Sequence, residues 1–324
     1  MKDLFSSLPV IHQHASPGYV QALIQIHRQE LFTGLMVMCY PSQQILTLVF
    51  LEGLPLNLYE CLEWTNRNIA RQAWSDELNR AEATVSLLSL TVDELRFLQV
   101  ILDSGINRIE RAQMASSEFG TSLKLWATLE EGSLIWAKSD QLSSLGLVMG
   151  FGDQTFERLD FRASSGHFSR SDLESMEAFA EGEYEVARYV CSSNENAWQE
   201  YRLRLAFNPM MQMLINRFGE LAGRILAERL CNQLSSWCAD GGWRITFGIS
   251  GVTNQHFFET LDQAVNVYVS LVRRFQDESS LAIGPRWAEN LFREVIGRLH
   301  GQSRGILIDQ IFSRYGLAGV YNEA

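Results

Sequence analysis

Between Leu90 and Ser139 the chain is punctuated as three short helices and a closing strand, a layout that few architectures accommodate. Thr91 at an N-cap with Glu94 three residues on makes a capping box, in which two amide donors orphaned by a helix start are satisfied reciprocally. Leu95, Leu98, Ile101 and Leu102 follow at three- and four-residue spacing, with Asp93, Arg96 and Gln99 off that face. Asp103-Ser104-Gly105 closes this helix. A second helical segment offers Ile106, Ile109, Ala112 and Ala115. Phe119-Gly120 breaks it before Thr121 caps a third, carrying Leu123, Trp126 and Leu129. After Glu130-Glu131-Gly132, the alternation in SLIWAKS predicts a strand.

This spacing resembles the winged-helix family, whose members read DNA or dock on other proteins. The resemblance puts Ser122, Lys124, Leu125 and Thr128 on the outward face of a recognition helix, with Arg108 and Arg111 as a basic supplement on the helix before it. Charge argues against the DNA-reading branch. Affinity for DNA rests on neutralising phosphates, whereas Lys124 is followed by Glu130 and Glu131, and Glu110 sits between the two arginines. Protein docking is therefore the expected use of Ser122, Lys124, Thr128, Arg108 and Arg111, and nucleic acid is not an expected partner.

The whole chain agrees with that expectation. Its 324 residues carry 27 Lys and Arg against 38 Asp and Glu, a formal net charge of −11, so a polyanion would need a local basic patch. At 46% hydrophobic and 20% charged residues, the chain is expected to fold into two or three cores. Apolar runs such as Ile45–Leu51 fall far short of the roughly twenty residues a membrane span needs, and no export signal opens the chain. The five cysteines include no CxxC pair, which fits reduced, buried thiols in a cytoplasmic protein. Cys231 and Cys238 could share a helix face but lack His or Asp at ligand spacing, and GFGDQ and GISGV lack the lysine of a phosphate loop. No metal, cofactor or catalytic residue is expected, and a homo-oligomer is compatible with the sequence.

Toward the N-terminus, Ser16 and Pro17 mark the start of a helix with Val20, Leu23 and Ile24 inward. From Gly34 the period changes to two. LMVMCY, a PSQQ turn, ILTLVFL, Glu52-Gly53 and LPLNLYE read as a three-stranded antiparallel meander, and the doubly apolar middle strand calls for cover on both faces. The run ALIQIHRQ, Phe32-Thr33-Gly34 and Phe50-Leu51-Glu52-Gly53 resembles the PATAN-type domain of bacterial signalling proteins, departing from it where Asn57 or Tyr59 stands in place of an alanine. That resemblance implies a non-enzymatic interaction module, used in type IV pilus motility, phototaxis and pattern regulation. No receiver domain accompanies it.

Residues 146–200 are rich in Ser, Glu and Asp and read as a connector with one short helix from Ser171. After Pro209 a long helix is expected to run to Asp240 with Leu214, Phe218, Leu221, Ala222, Ile225 and Leu226 inward, followed by a strand in WRITFGI. Thr253 or Asn254 then caps an amphipathic helix carrying Phe257 to Phe275. A further helix holds Ala288 to Leu299, and a short one spans Ile306–Tyr315. The expected architecture is α+β: a small antiparallel sheet with helices (1–88), a winged-helix-like three-helix unit (89–145), the connector (146–200) and an α-helical bundle (201–324). The expected function is that of a non-enzymatic cytoplasmic adaptor or regulator, with a winged-helix DNA-binding transcriptional regulator as the alternative and an enzyme whose site is not visible in the sequence as a second alternative.

Overall fold

The period-two run that begins at Gly34 forms the middle of a six-stranded antiparallel sheet. The computed structural model describes residues 10–61, 66–103, 109–115, 118, 121–122, 133–139, 144–150, 156–162, 167–171, 182–190, 196–258, 260–299 and 301–315. The chain divides into two compact units, Met1–Glu195 and Asn196–Ala324. The fold is α+β, with antiparallel sheet in the first unit and a helical C-terminal region.

In the first sheet the strands β1 (Val10–Ala15), β2 (Gly34–Cys39), β3 (Ile45–Leu51), β4 (Leu54–Cys61), β5 (Asn66–Asn68) and β6 (Ala83–Ser89) lie in the order β1-β6-β2-β3-β4-β5. The meander β2-β3-β4 is the one the alternation predicts, in the register Gly34↔Phe50 and Leu51↔Leu54. Both faces of β3 are covered, as its sequence requires. Leu46, Leu48 and Phe50 pack with Val20, Leu23 and Ile24 of helix α1 (Pro17–Gln29). Each fully buried side chain of this kind contributes roughly 1.5–3 kcal/mol. Helix α1 starts where Ser16 Oγ accepts the Tyr19 amide at 3.3 Å. After a short helix α2 (Trp74–Leu78), helix α3 (Val92–Asp103) reaches the opposite face, where the buried Tyr59 donates its hydroxyl hydrogen bond to Asp103. The capping box is present: the Thr91 amide donates to Glu94 Oε2 at 2.7 Å, and the Glu94 amide to Thr91 Oγ1 at 3.3 Å. Leu95, Leu98 and Leu102 are buried, and Arg96 is buried with them, contrary to its expected place off that face.

Beyond α3 the sequence reading fails. Ile109–Ala115, expected as the second helix of a winged-helix unit, is strand β7, paired antiparallel with β12 (Glu183–Val190). Seven residues of IERAQMA satisfy a period of two as readily as one of 3.6, and the distant partner decides: Ala112 stands opposite Val186 and Met114 opposite Tyr184. SLIWAKS is a strand as expected, β8 (Ser133–Ser139), but it lies inside a second six-stranded antiparallel sheet. With β9 (Ser144–Gly150), β10 (Phe156–Arg162) and β11 (His167–Ser171) the order is β11-β10-β9-β8-β12-β7. Residues 146–200 therefore supply strands and are not a connector. Their polar composition conceals alternations such as Glu157, Leu159 and Phe161, which continuous pairing with β9 and β11 stabilises. The short helix expected from Ser171 and most of the third helix fall outside the described residues.

The helical unit contains α4 (Asn196–Ala222), α5 (Arg224–Asp240), the hairpin β13 (Ile245–Gly248) and β14 (Gly251–Asn254), α6 (Leu261–Ile283), α7 (Pro285–Arg298) and α8 (Gly301–Leu307). A π turn (Ile308–Phe312) and a one-turn helix α9 (Ser313–Tyr315) complete it. The helix expected to run unbroken to Asp240 is two helices meeting at Gly223, and Pro209 lies inside the first. The apolar spacing continues across this corner, yet Leu221, Ile225 and Leu226 are exposed, because the change of axis puts the second helix out of phase with the first. Helix α6 is capped by Thr260, whose Oγ1 accepts the Gln263 amide at 3.2 Å. Thr253 and Asn254 belong to β14 instead. Asn254 is buried and donates through Nδ2 to Tyr268 Oη at 2.8 Å, beneath Phe207 stacked on Tyr268 with centroids 4.1 Å apart. Ala264, Val265, Tyr268, Leu271, Val272 and Phe275 are core, as their spacing predicts.

Candidate functional site

Two short motifs singled out in the sequence, Phe32-Thr33-Gly34 and Phe50-Leu51-Glu52-Gly53, meet in space. Their meeting point begins at the end of α1. The Glu30 amide donates to Ile26 O at 3.0 Å, and the Phe32 amide reaches back to His27 O at 3.0 Å. This six-residue closure, with Leu31 left-handed at φ 54°, is a Schellman cap. The apolar contact that accompanies such caps is also present, since the Phe32 and His27 rings lie 4.9 Å apart. The departure is in residue type. The left-handed position is ordinarily glycine, and a leucine there costs about 1–2 kcal/mol.

The β3-β4 turn closes onto this cap. Glu52 and Gly53 both have positive φ, 48° and 79°, the signature of a two-residue hairpin whose twist matches its strands. Gly53 donates its amide to Phe32 O at 2.8 Å, and Glu52 donates to Thr33 Oγ1 at 2.9 Å. A β-carbon on Gly53 would stand 2.4 Å from Arg28 O. Behind the turn, Leu90 donates to Thr33 O at 3.0 Å, and a β-carbon on Gly34 would stand 2.0 Å from Leu88 O. Phe32 meets Phe50 edge to face at 5.8 Å, and the buried His27 ring lies against both. One backbone knot thus joins the end of α1, the start of β2, the β3-β4 turn and the end of β6.

Leu31 and Leu54 stand at the surface of this knot, 68% and 60% exposed. Gly53, the residue before Leu54, lies against the Arg28 carbonyl in the last turn of α1. Two exposed apolar side chains are thus carried on backbone that is hydrogen-bonded from below, one of them, Leu31, at a conformational cost. At the same cap His27 Nδ1 lies 3.4 Å from Glu30 Oε2. Among the described residues no group of three or more His, Cys, Asp and Glu could hold a metal ion, and no helix is long and apolar enough to cross a membrane.

The residues expected to dock a partner are elsewhere. Ser122 is half-buried and lines an open cavity of about 500 Å³ with Met114, Glu118 and Thr121. Arg111 lies in β7, opposite Ala187. Arg108, Lys124 and Thr128 lie outside the described residues. Leu31 has only a partial signal in the sequence: no glycine stands between Gln29 and Gly34, so a left-handed helix end there falls on a non-glycine residue, and the structure places it at Leu31. No family model, no curated protein and no solved structure matches this chain.

Proposed function

We propose that this protein is a non-enzymatic adaptor or regulator in bacterial signalling, acting by docking a protein partner on the knot that carries Leu31 and Leu54. The observation that carries this reading is the convergence of the two motif segments into one backbone-bonded platform with both leucines exposed. Leu31 keeps a left-handed backbone without the burial that would offset its cost, and a bound partner supplies that burial. The PATAN-like resemblance of the same segments suggests pilus motility, phototaxis or pattern regulation as the setting. The net charge of −11 favours a protein over a nucleic acid as partner. The DNA-reading alternative is weakened because its second helix is a strand.

A photo-crosslinking residue placed at Leu31 or Leu54 of the intact chain, expressed in its native host, tests this. The expected result is one protein adduct common to both positions and absent from a probe at Gln13, which is also exposed. No protein adduct at either position, or the same adduct from Gln13, would contradict the docking reading. A DNA adduct would support the alternative.

A further inference from the structure

Tyr59 of β4 is fully buried, so its hydroxyl requires a partner inside the fold. That partner is the Asp103 carboxyl at the C-terminal end of α3. Its Oδ1 accepts the Tyr59 hydrogen bond, and Gln99, one turn back, donates from Nε2 to Oδ2 at 3.3 Å. Asp103 as a residue is exposed, with its carboxyl turned in onto Tyr59. The last turn of a helix is a poor place for an anion, because its unpaired carbonyls form the negative end of the peptide dipoles. Among the described residues no Lys, Arg or His pairs with Asp103 to offset this. On β4, Asn57 also bonds Tyr59, and the neighbouring Cys61 thiol is bonded to Thr47 of β3. On β5, which packs against α3, Arg67 is closed on Glu60 at 2.5 Å. The one cation of α3, Arg96, stands seven residues before Asp103, about 10 Å back along the helix axis.

We propose that Asp103, Tyr59 and Gln99 form a proton-operated latch on the last turn of α3, held by the neutral carboxyl and released when the carboxyl ionises. Burial pushes the Asp103 carboxyl above its ordinary range, and this outweighs the two donated hydrogen bonds, which favour the ion. Burial also pushes the Tyr59 hydroxyl far up, so Tyr59 stays a donor through the acid and neutral range and Asp103 is the member that titrates. Because the fold favours the neutral acid, the contribution of the latch is complete below the unfolded value of ~3.9 and is lost as pH rises through the higher folded value. Fraying relieves the ionised state, since Asp103 is the terminal residue of its helix. Opening one turn returns the carboxylate to water and carries Leu102 with it, while Leu95 and Leu98 stay in the core. The consequence is regulatory. Helix α3 leads from the first sheet into β7 of the second, and this turn fixes where the chain leaves the helix. Acid tightens that junction and neutral pH loosens it.

Amide exchange of the intact chain between pH ~4 and ~8, corrected for the intrinsic chemical rate, tests the latch. The Leu102 amide should lose at least ~threefold of its protection as pH rises, while the Leu95 amide, bonded to Thr91 O at 2.9 Å in the first turn, keeps its own. Asp103→Asn retains the shape of the neutral carboxyl without its charge. In that variant Leu102 should be protected equally across the range, and better than in the parent at pH ~8. Carbon NMR of the parental carboxyls is a second measurement that depends on no variant, and Asp103 should titrate above ~3.9. Leu102 protection that is independent of pH in the parent overturns the proposal. So does an Asp103→Asn chain that keeps the parental pH dependence, or an Asp103 midpoint at or below ~3.9. Substitutions at Leu31 and Leu54 should leave the dependence unchanged, which separates this outcome from that of the docking reading.

Discussion

The knot in the first sheet and the corners of the helical bundle both turn on glycines of positive φ, and they do so for different reasons. At Gly34 and Gly53 another stretch of backbone occupies the space a side chain would need. At Gly223 and Gly284 that space is empty, and only the local dihedral angles demand glycine. A turn that closes onto backbone links distant segments of the chain, whereas an open corner merely changes a helix axis. The first arrangement makes a platform whose surface residues are set from below.

Substitution separates the two cases. Gly34→Ala should have the largest effect, about 3 kcal/mol or more, because Leu88 O and the Phe32 ring both stand within 3 Å of the new carbon. Urea unfolding followed by a probe in the first unit would measure it. Gly53→Ala should cost about 2–3 kcal/mol from the Arg28 carbonyl and the positive φ together, and should abolish crosslinking at Leu54. Gly284→Ala meets no atom, so its cost is the dihedral one alone, about 1–2 kcal/mol, visible as a lower melting midpoint of the helical unit. An equal loss at Gly284 and Gly34 would break the comparison.

Smaller effects sharpen it. Thr91→Ala removes half of a local capping box and should cost about 1 kcal/mol, with no consequence for the helical unit. Cysteines then report on each unit separately. Burial pushes the Cys61 thiol up to about 12 in the first unit and the Cys238 thiol up to about 12 in the second. The fold therefore retains the neutral thiol. Its contribution is complete below the unfolded value of ~8.5 and is lost as pH rises toward about 12. At pH ~8 a thiol reagent should modify the half-buried Cys39 before Cys61 or Cys238, which it should reach only as each unit opens. Gly34→Ala should speed labelling of Cys61 and leave Cys238 at the parental rate.

How far the sequence disclosed this arrangement depended on how local the deciding interaction was. The α3 start was legible because Thr91 and Glu94 are three residues apart and satisfy each other. The α1 start and the turn at Gly53 were legible for the same reason. Strand β7 was not, since its partner β12 lies far along the chain and a window of seven residues fits either period. Strands β10 and β11 were hidden instead by polar composition. Ile225 and Leu226 misled because apolar spacing carries no mark of a change in helix axis at Gly223. As for the site, both halves of the knot stood out as motifs, but the hydrogen bond from Gly53 to Phe32 belongs to the fold alone, and so does the exposure of Leu31 and Leu54.

Native-state hydrogen exchange at the Gly53 amide tests most directly whether the knot is a single locked platform. Bonded to Phe32 O at 2.8 Å and pressed onto the Arg28 carbonyl, this turn amide should exchange as slowly as the Leu48 amide in the middle of β3, both opening only with the whole sheet. A Gly53 amide that exchanges at the rate of an open turn while Leu48 stays protected would contradict the account.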